Sequence, residues 1–125
     1  MNIPADLHYT KEHEWARMEG NSAVIGITDY AQHELGDIVF IELPKLGAAV
    51  EKTKSCASIE AVKAVSDLFA PVSGEIVEVN RELETTPQWI NQEPYGKGWI
   101  LKIKLSDPKE ADFLLSAEDY QKLIG

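Results

Sequence analysis

The chain has 125 residues, 44% hydrophobic and 26% charged, which suits one domain with its own core and excludes global disorder. Its 21 acidic residues against 12 basic ones give a formal charge of -9. That excludes a nucleic-acid binder, which needs a basic face to displace phosphate counterions, and a surface that seeks anionic lipid, while permitting partners with positively charged patches. Cys56 is the single cysteine, so no intrachain disulfide can form. The start "MNIPADLHYT" has no basic segment followed by an apolar one, and no apolar run approaches membrane-spanning length. The expected location is the cytoplasm.

In chain order, "HEWARMEG" and "NSAVIGI" read as two short strands about a Gly-Asn-Ser turn. "TDYAQHELG" reads as a short helix, with Thr28 or Asp29 capping its start and Gly36 closing it. "DIVFIELP" is a strand with apolar residues on both faces, so both faces are expected to be covered. Ser58 to Val62 alternates as a strand, and the chain bends at Pro71 and Gly74. "EIVEVN" alternates acidic or polar residues with Val77 and Val79. "TPQWINQEPYGKG" is a turn-rich connection. In "WILKIKL", Trp99, Leu101, Ile103 and Leu105 share one face, with Lys102 and Lys104 on the other. Two short helices follow in the segment of about residues 107–124. Asp107 before Pro108 caps the first, and Ser116 with Asp119 resembles a capping box at the second. The architecture is mainly β, with helices at the edges.

"GDIV" from Gly36 and "GEIV" from Gly74 echo each other, and the alignment carries Ile41 onto Val79. A true repeat implies two similar β half-motifs with a hairpin between them. Lys63 falls in that hairpin. In "EAVKAVSD" it is a solitary cation among small apolar residues, with Val62-Lys63 as a two-residue tip flanked by Ala61 and Ala64. Neither tip residue is Gly or Asn, so a type I turn is expected rather than a primed one. Three readings stand on the residues alone. It is an ordinary exposed turn lysine, a catalytic Schiff-base lysine, or an attachment point for a carrier group, for which an exposed tip is the natural place. The Schiff-base reading wants a desolvated pocket of which the sequence gives no sign.

Several long segments, in order along nearly the whole chain, resemble the H proteins of the glycine cleavage system. They are "YTKEHEW", "VIGITDYAQHELGDIVFIELPKLG", "IEAVKAVSDLFAPVSGEIVEVN", "INQEPYGKGWILKIK" and the C-terminal "LL…Y" segment. The resemblance implies a single lipoyl-carrier domain over residues 1–125. Its expected fold is a lipoyl/biotinyl-domain-like β-sandwich or flattened barrel with pseudo-twofold halves, a helix in the N-terminal half and two C-terminal helices. It implies lipoate in amide linkage on Lys63, a carrier rather than an enzyme, and a monomer that visits its partners in turn. Those partners are glycine decarboxylase (P protein), aminomethyltransferase (T protein) and dihydrolipoyl dehydrogenase (L protein), plus the lipoate ligase or lipoyl/octanoyl transferase that installs the arm. Glu14 in "HEW" and Asp67 in "VSD" are candidate carboxylates of a cleft that holds the loaded, cationic arm; as ordinary surface acids they would be solvated.

The chain departs from the family pattern at three places. Thr53 stands where glycine is common, Ala61 where serine is frequent, and Glu12 where many members have a small polar residue. These bear on partner contacts rather than on attachment.

Other chemistry is thin. His8, His13 and His33 have no metal-site spacing. "YGKG" lacks a phosphate-loop pattern. Cys56 reads as a small buried hydrophobe, and Trp15, Trp89 and Trp99 as core or cleft wall. Biotin carriers typically flank their lysine with methionine, whereas here Val62 and Ala64 flank it. An H-like lipoate donor, or an unmodified β-domain binding module, are the competing readings, and the mass of the protein separates the second from the rest.

Overall fold

Apolar alternation folds the chain into two antiparallel sheets; the structure is a computed structural model and describes residues 1–125. One sheet holds β1 (His8–Tyr9), β2 (Glu14–Glu19), β3 (Ser22–Ile27), β9 (Leu101–Leu105), β8 (Gly74–Val79) and β5 (Ala49–Val50), in that order. The other holds β4 (Ile38–Glu42), β6 (Ser55–Ala61) and β7 (Val65–Phe69). Ile25, Ile41, Ile59, Leu68, Ile76, Leu101 and Ile103 are fully buried in one shared core. The pair is a sandwich, and the flattened-barrel alternative does not hold, because the sheets stay separate.

The echo is structural. In β4–β6, Ile38 pairs Ala61, Phe40 pairs Glu60 and Ile41 pairs Ile59, with a bulge between Ile38 and Phe40. In β8–β9, Ile76 pairs Ile103, Glu78 pairs Lys102 and Val79 pairs Leu101, with a bulge between Ile76 and Glu78. Each strand thus carries its extra residue at the same place after the same Gly-acid-Ile-Val start. The bulge explains an odd spacing: residues three apart, Ile38 with Ile41 and Ile76 with Val79, both point inward.

It also corrects two expectations. β4 is not covered on both faces: the bulge turns Val39 and Phe40 outward, each 50% exposed, on an edge strand that pairs only with β6. In β8 the inward residues are Ile76 and Val79, not Val77 with Val79; Val77 faces solvent.

A second, smaller core lies beyond β2 and β3. Trp15 pairs with Gly26 across the strands, and its indole lies so close that a Cβ on Gly26 would sit 2.6 Å from Nε1. Nε1 donates to Pro94 O at 2.9 Å. Tyr9 stacks on Tyr120 with ring centroids 4.7 Å apart. Trp99 joins this cluster instead of the β9 face, so the strand alternation begins at Leu101, and Ile100 enters the main core.

Helix α1 (Asp29–Leu35) has the expected ends: Thr28 Oγ1 accepts from Ala31 N, and Gly36 closes it. The connection after β8 is more ordered than expected. It holds a 3-10 turn at Arg81–Glu84 and a one-turn helix, α2 (Trp89–Gln92), seated by the buried side chains of Leu83 and Ile90. The first C-terminal helix is of 3-10 type, Pro108–Phe113, capped by Asp107. The second is α3 (Ala117–Ile124), where Ser116 accepts from Asp119 N and Tyr120 is fully buried.

Candidate functional site: the Lys63 hairpin and its cleft

β6 and β7 are joined by the Val62-Lys63 tip, closed by Ala61 N donating to Ala64 O at 2.7 Å. Val62 is 75% and Val65 68% exposed, and Lys63 is exposed with them. Lys63 takes part in no salt bridge.

The tip does not stand free of the fold. Val62 N donates to Asp37 O at 3.0 Å, tying it to the α1–β4 turn. Gly36 in that turn has φ 78 and ψ -158, a conformation that L side chains avoid. The Lys63 stem lies over its bare α-carbon: a Cβ there would be 3.2 Å from Lys63 Cε. Asn91 on α2 clamps the turn from behind. Its Oδ1 accepts from Ile38 N at 2.9 Å, and its Nδ2 donates to Gly36 O at 2.9 Å and to Gln32 Oε1 at 3.0 Å.

Beside the hairpin, α1 and β7 enclose a cleft of about 310 Å³. Tyr30, Ala31, Glu34 and Leu35 form the helix wall, Ile59, Ser66 and Asp67 the strand wall, and Glu12, His13 and Glu14 the far end. The structure therefore brings both predicted carboxylates to one cleft, but in different environments. Asp67 is exposed and accepts from Ser55 Oγ at 3.1 Å. Glu14 is 2% exposed. Thr10 Oγ1 donates to its Oε1 at 2.6 Å, and Phe69 N to its Oε2 at 3.3 Å. Burial pushes its carboxyl up to about 7, the Thr10 and Phe69 hydrogen bonds oppose that rise, and the neighbouring Glu12 charge adds a little. Glu12 and Glu14 also line a second cleft of about 430 Å³, bounded by Phe69, Phe113 and Leu114.

His13 is held at the cleft end by Tyr120, whose hydroxyl lies 2.8 Å from Nδ1, and burial lowers the imidazole's pKa. Cys56 is half-buried against the core, and desolvation pushes its thiol up to about 12, so it is no thiolate nucleophile at neutral pH. No three His, Cys, Asp or Glu side chains cluster to hold a metal ion. No helix is long and apolar enough to cross a membrane.

Sequence reasoning missed Gly36 as the seat of the lysine stem and Asn91 as the clamp of its turn. Gly36 was legible as a helix stop. Asn91 gave no signal, because its contacts lie 53 to 59 residues away.

A lysine at a hairpin tip, on a two-sheet sandwich whose halves repeat, is the architecture of a lipoyl/biotinyl-type domain. The comparisons with known proteins agree. The family model described as "Glycine cleavage H-protein" matches residues 7–125. The glycine cleavage system H protein of Staphylococcus carnosus is 53% identical over 125 residues, covering 100% of this chain and 99% of that one. That of Thermus thermophilus is 55% identical over 124 residues, covering 99% and 97%. The crystal structure of a glycine cleavage system H protein from Mycobacterium marinum superposes with a TM-score of 0.91 at 40% identity, covering 98% of this chain and 99% of that chain. The chain belongs to the glycine cleavage H-protein family.

Proposed function

We propose that residues 1–125 act as one domain, the lipoyl carrier of a glycine cleavage system, with lipoate in amide linkage to Lys63 Nζ. The observation that carries this reading is the geometry of Lys63: exposed, unpaired, at the tip of a hairpin on a lipoyl-type sandwich. An acylating enzyme can reach such an amine without opening the core. Amide formation removes the ammonium charge and takes the formal charge from -9 to -10. The bound group would supply a dithiolane that accepts the aminomethyl unit and two electrons, and its tether gives a high effective concentration at each partner site.

The partners in this reading are glycine decarboxylase, aminomethyltransferase and dihydrolipoyl dehydrogenase, with a lipoate ligase or lipoyl/octanoyl transferase acting on Lys63. The chain itself performs no bond-breaking step. Its acidic surface suits partners with basic docking faces, and the expected location is the cytoplasm.

The α1–β7 cleft supports a holding role. Glu14 is the buried carboxylate at its end and Asp67 an exposed one at its rim, a pair suited to a cationic amine excluded from water. An amine there would draw Glu14 into its charged form by direct attraction.

The test is the intact mass of protein purified from its own host, with peptide mapping around Lys63. A lipoyl-sized increment on Lys63 together with glycine-dependent turnover supports the carrier. The increment without turnover makes the chain a lipoate donor, and an unmodified Lys63 in lipoate-replete cells leaves a binding module. The holding role is tested apart, by the rate at which the loaded arm hydrolyses: Glu14→Gln and Asp67→Asn are each expected to raise it, and unchanged rates reject the role.

A further inference from the structure

We propose that Asn91 is a positioning residue that aims the root of the Lys63 arm along the α1–β7 cleft. The inference rests on the reading of that cleft as the place where the loaded arm lodges.

Asn91 bonds on both sides of Asp37: its Nδ2 to Gly36 O and its Oδ1 to Ile38 N. Its second N–H reaches Gln32 Oε1 in the middle of α1. Both donors and the acceptor are thereby used, so the side chain has one orientation in which all three bonds form. The held segment is the one the attachment tip touches. Asp37 O receives Val62 N, and Gly36 seats the Lys63 stem.

Three parts are thus held by one side chain: the turn under the lysine, the helix that walls the cleft, and α2. The backbone of Gly36 alone cannot fix that turn. Its φ of 78 and ψ of -158 are open to glycine, but so are many other conformations. Without Asn91 the turn gains freedom, and the arm's root loses its direction relative to the helix wall. The hairpin itself would remain: Ala61 also faces Ile38 across β4–β6, but its N–H donates to Ala64 O on the other side, and the β6–β7 pairing does not pass through the turn.

That independence supplies the test. In the lipoylated, full-length protein, Asn91→Ala is expected to speed amide hydrogen exchange at Val62 about tenfold relative to Ala61, the scale set by loss of ordinary hydrogen bonds. A merely structural role would raise exchange at both amides together. The same variant, loaded by the decarboxylase, is expected to lose its aminomethyl group to water faster. That reaction consumes one water and yields formaldehyde, ammonia and the dithiol. Asn91→Asp keeps the acceptor for Ile38 N but sets a carboxylate oxygen against Gly36 O and Gln32 Oε1, so it should loosen Val62 at least as much as Asn91→Ala and serves if the alanine variant folds poorly.

Equal or absent changes at Val62 and Ala61 overturn the proposal. So does unchanged hydrolysis in the Asn91 variants where Glu14→Gln accelerates it, since the cleft reading then stands without Asn91. If Glu14→Gln and Asp67→Asn leave hydrolysis unchanged, the cleft reading has failed and the proposal falls with it, whatever the exchange at Val62 shows.

Discussion

The hydroxyl of Tyr120, on the last helix, lies 2.8 Å from Nδ1 of His13, 107 residues earlier. It also lies 2.8 Å from Thr28 Oγ1, the cap of α1. One phenol therefore links α3 to the far end of the cleft and to the helix that walls it. Replacing Tyr120 by Phe keeps the ring stack on Tyr9 and removes only the hydroxyl. Thr28, fully buried, loses a partner, as does the imidazole. The expected loss is about 2 kcal/mol by denaturant unfolding. A value near zero would mean that water replaces the hydroxyl at both sites.

Thr53 stands in the left-handed region, φ 72, which a β-branched residue avoids. The turn keeps a glycine-like conformation without the glycine, held by Thr53 N to Ala70 O at 2.8 Å. Relief of that strain, about 1–2 kcal/mol, outweighs the greater unfolded-state freedom of glycine, about 0.5–1 kcal/mol. Thr53→Gly should therefore raise the melting temperature by about 2–4 °C. A lower melting temperature would show that the threonine side chain contributes more than its backbone costs.

Glu14 makes stability depend on pH in a direction opposite to that of most carboxylates. Its folded pKa, about 7, is above the ordinary 4.5. The folded state therefore binds the proton more tightly. The charging cost is absent below pH 4.5, grows through the window up to 7, and is complete above it. The cost reaches about 3 kcal/mol at roughly 1.4 kcal/mol per pH unit. Glu14→Gln should remove this fall, seen as a flatter stability profile between pH 4.5 and 7 in denaturant titrations. Profiles that run parallel for wild type and variant would show that the carboxylate is solvated.

Lys63→Arg keeps the cation and the exposed stem but has no amine to acylate. Stability should stay within about 0.5 kcal/mol of wild type, as for other exposed substitutions. The mass increment and glycine-dependent turnover should vanish together. Turnover that persists would place the working group elsewhere in the chain.

Much of the site was legible because it depends on local signals. Thr28 and Gly36 mark the ends of α1 by capping chemistry, and Ser116 marks the start of α3 in the same way. The alanines beside Val62-Lys63 mark a hairpin tip, whereas Glu14 and Asp67 carry no such local signal and stand out only through the family resemblance of "HEW" and "VSD". What misled was strict alternation. In β4 and β8 a bulge breaks the period of two, so Phe40 faces out, and Ile76 rather than Val77 faces in. A bulge leaves no local mark in residues such as Val39 or Val77, which suit either face of a strand. Only the repeat of "DIVFI" as "EIVEV" hinted that both strands share one irregularity.

By itself the sequence determined the strand-rich class, the helix caps, the paired half-motifs and a lone lysine at an exposed turn, since each follows from residue type and short-range spacing. The tertiary structure alone decided that Glu14 is buried while Asp67 is not, that both meet one cleft, and that Asn91 holds the turn beneath Lys63. Those properties come from desolvation and hydrogen bonding between segments more than 50 residues apart, whose mutual placement is set by sheet pairing and the shared core and not by any local pattern.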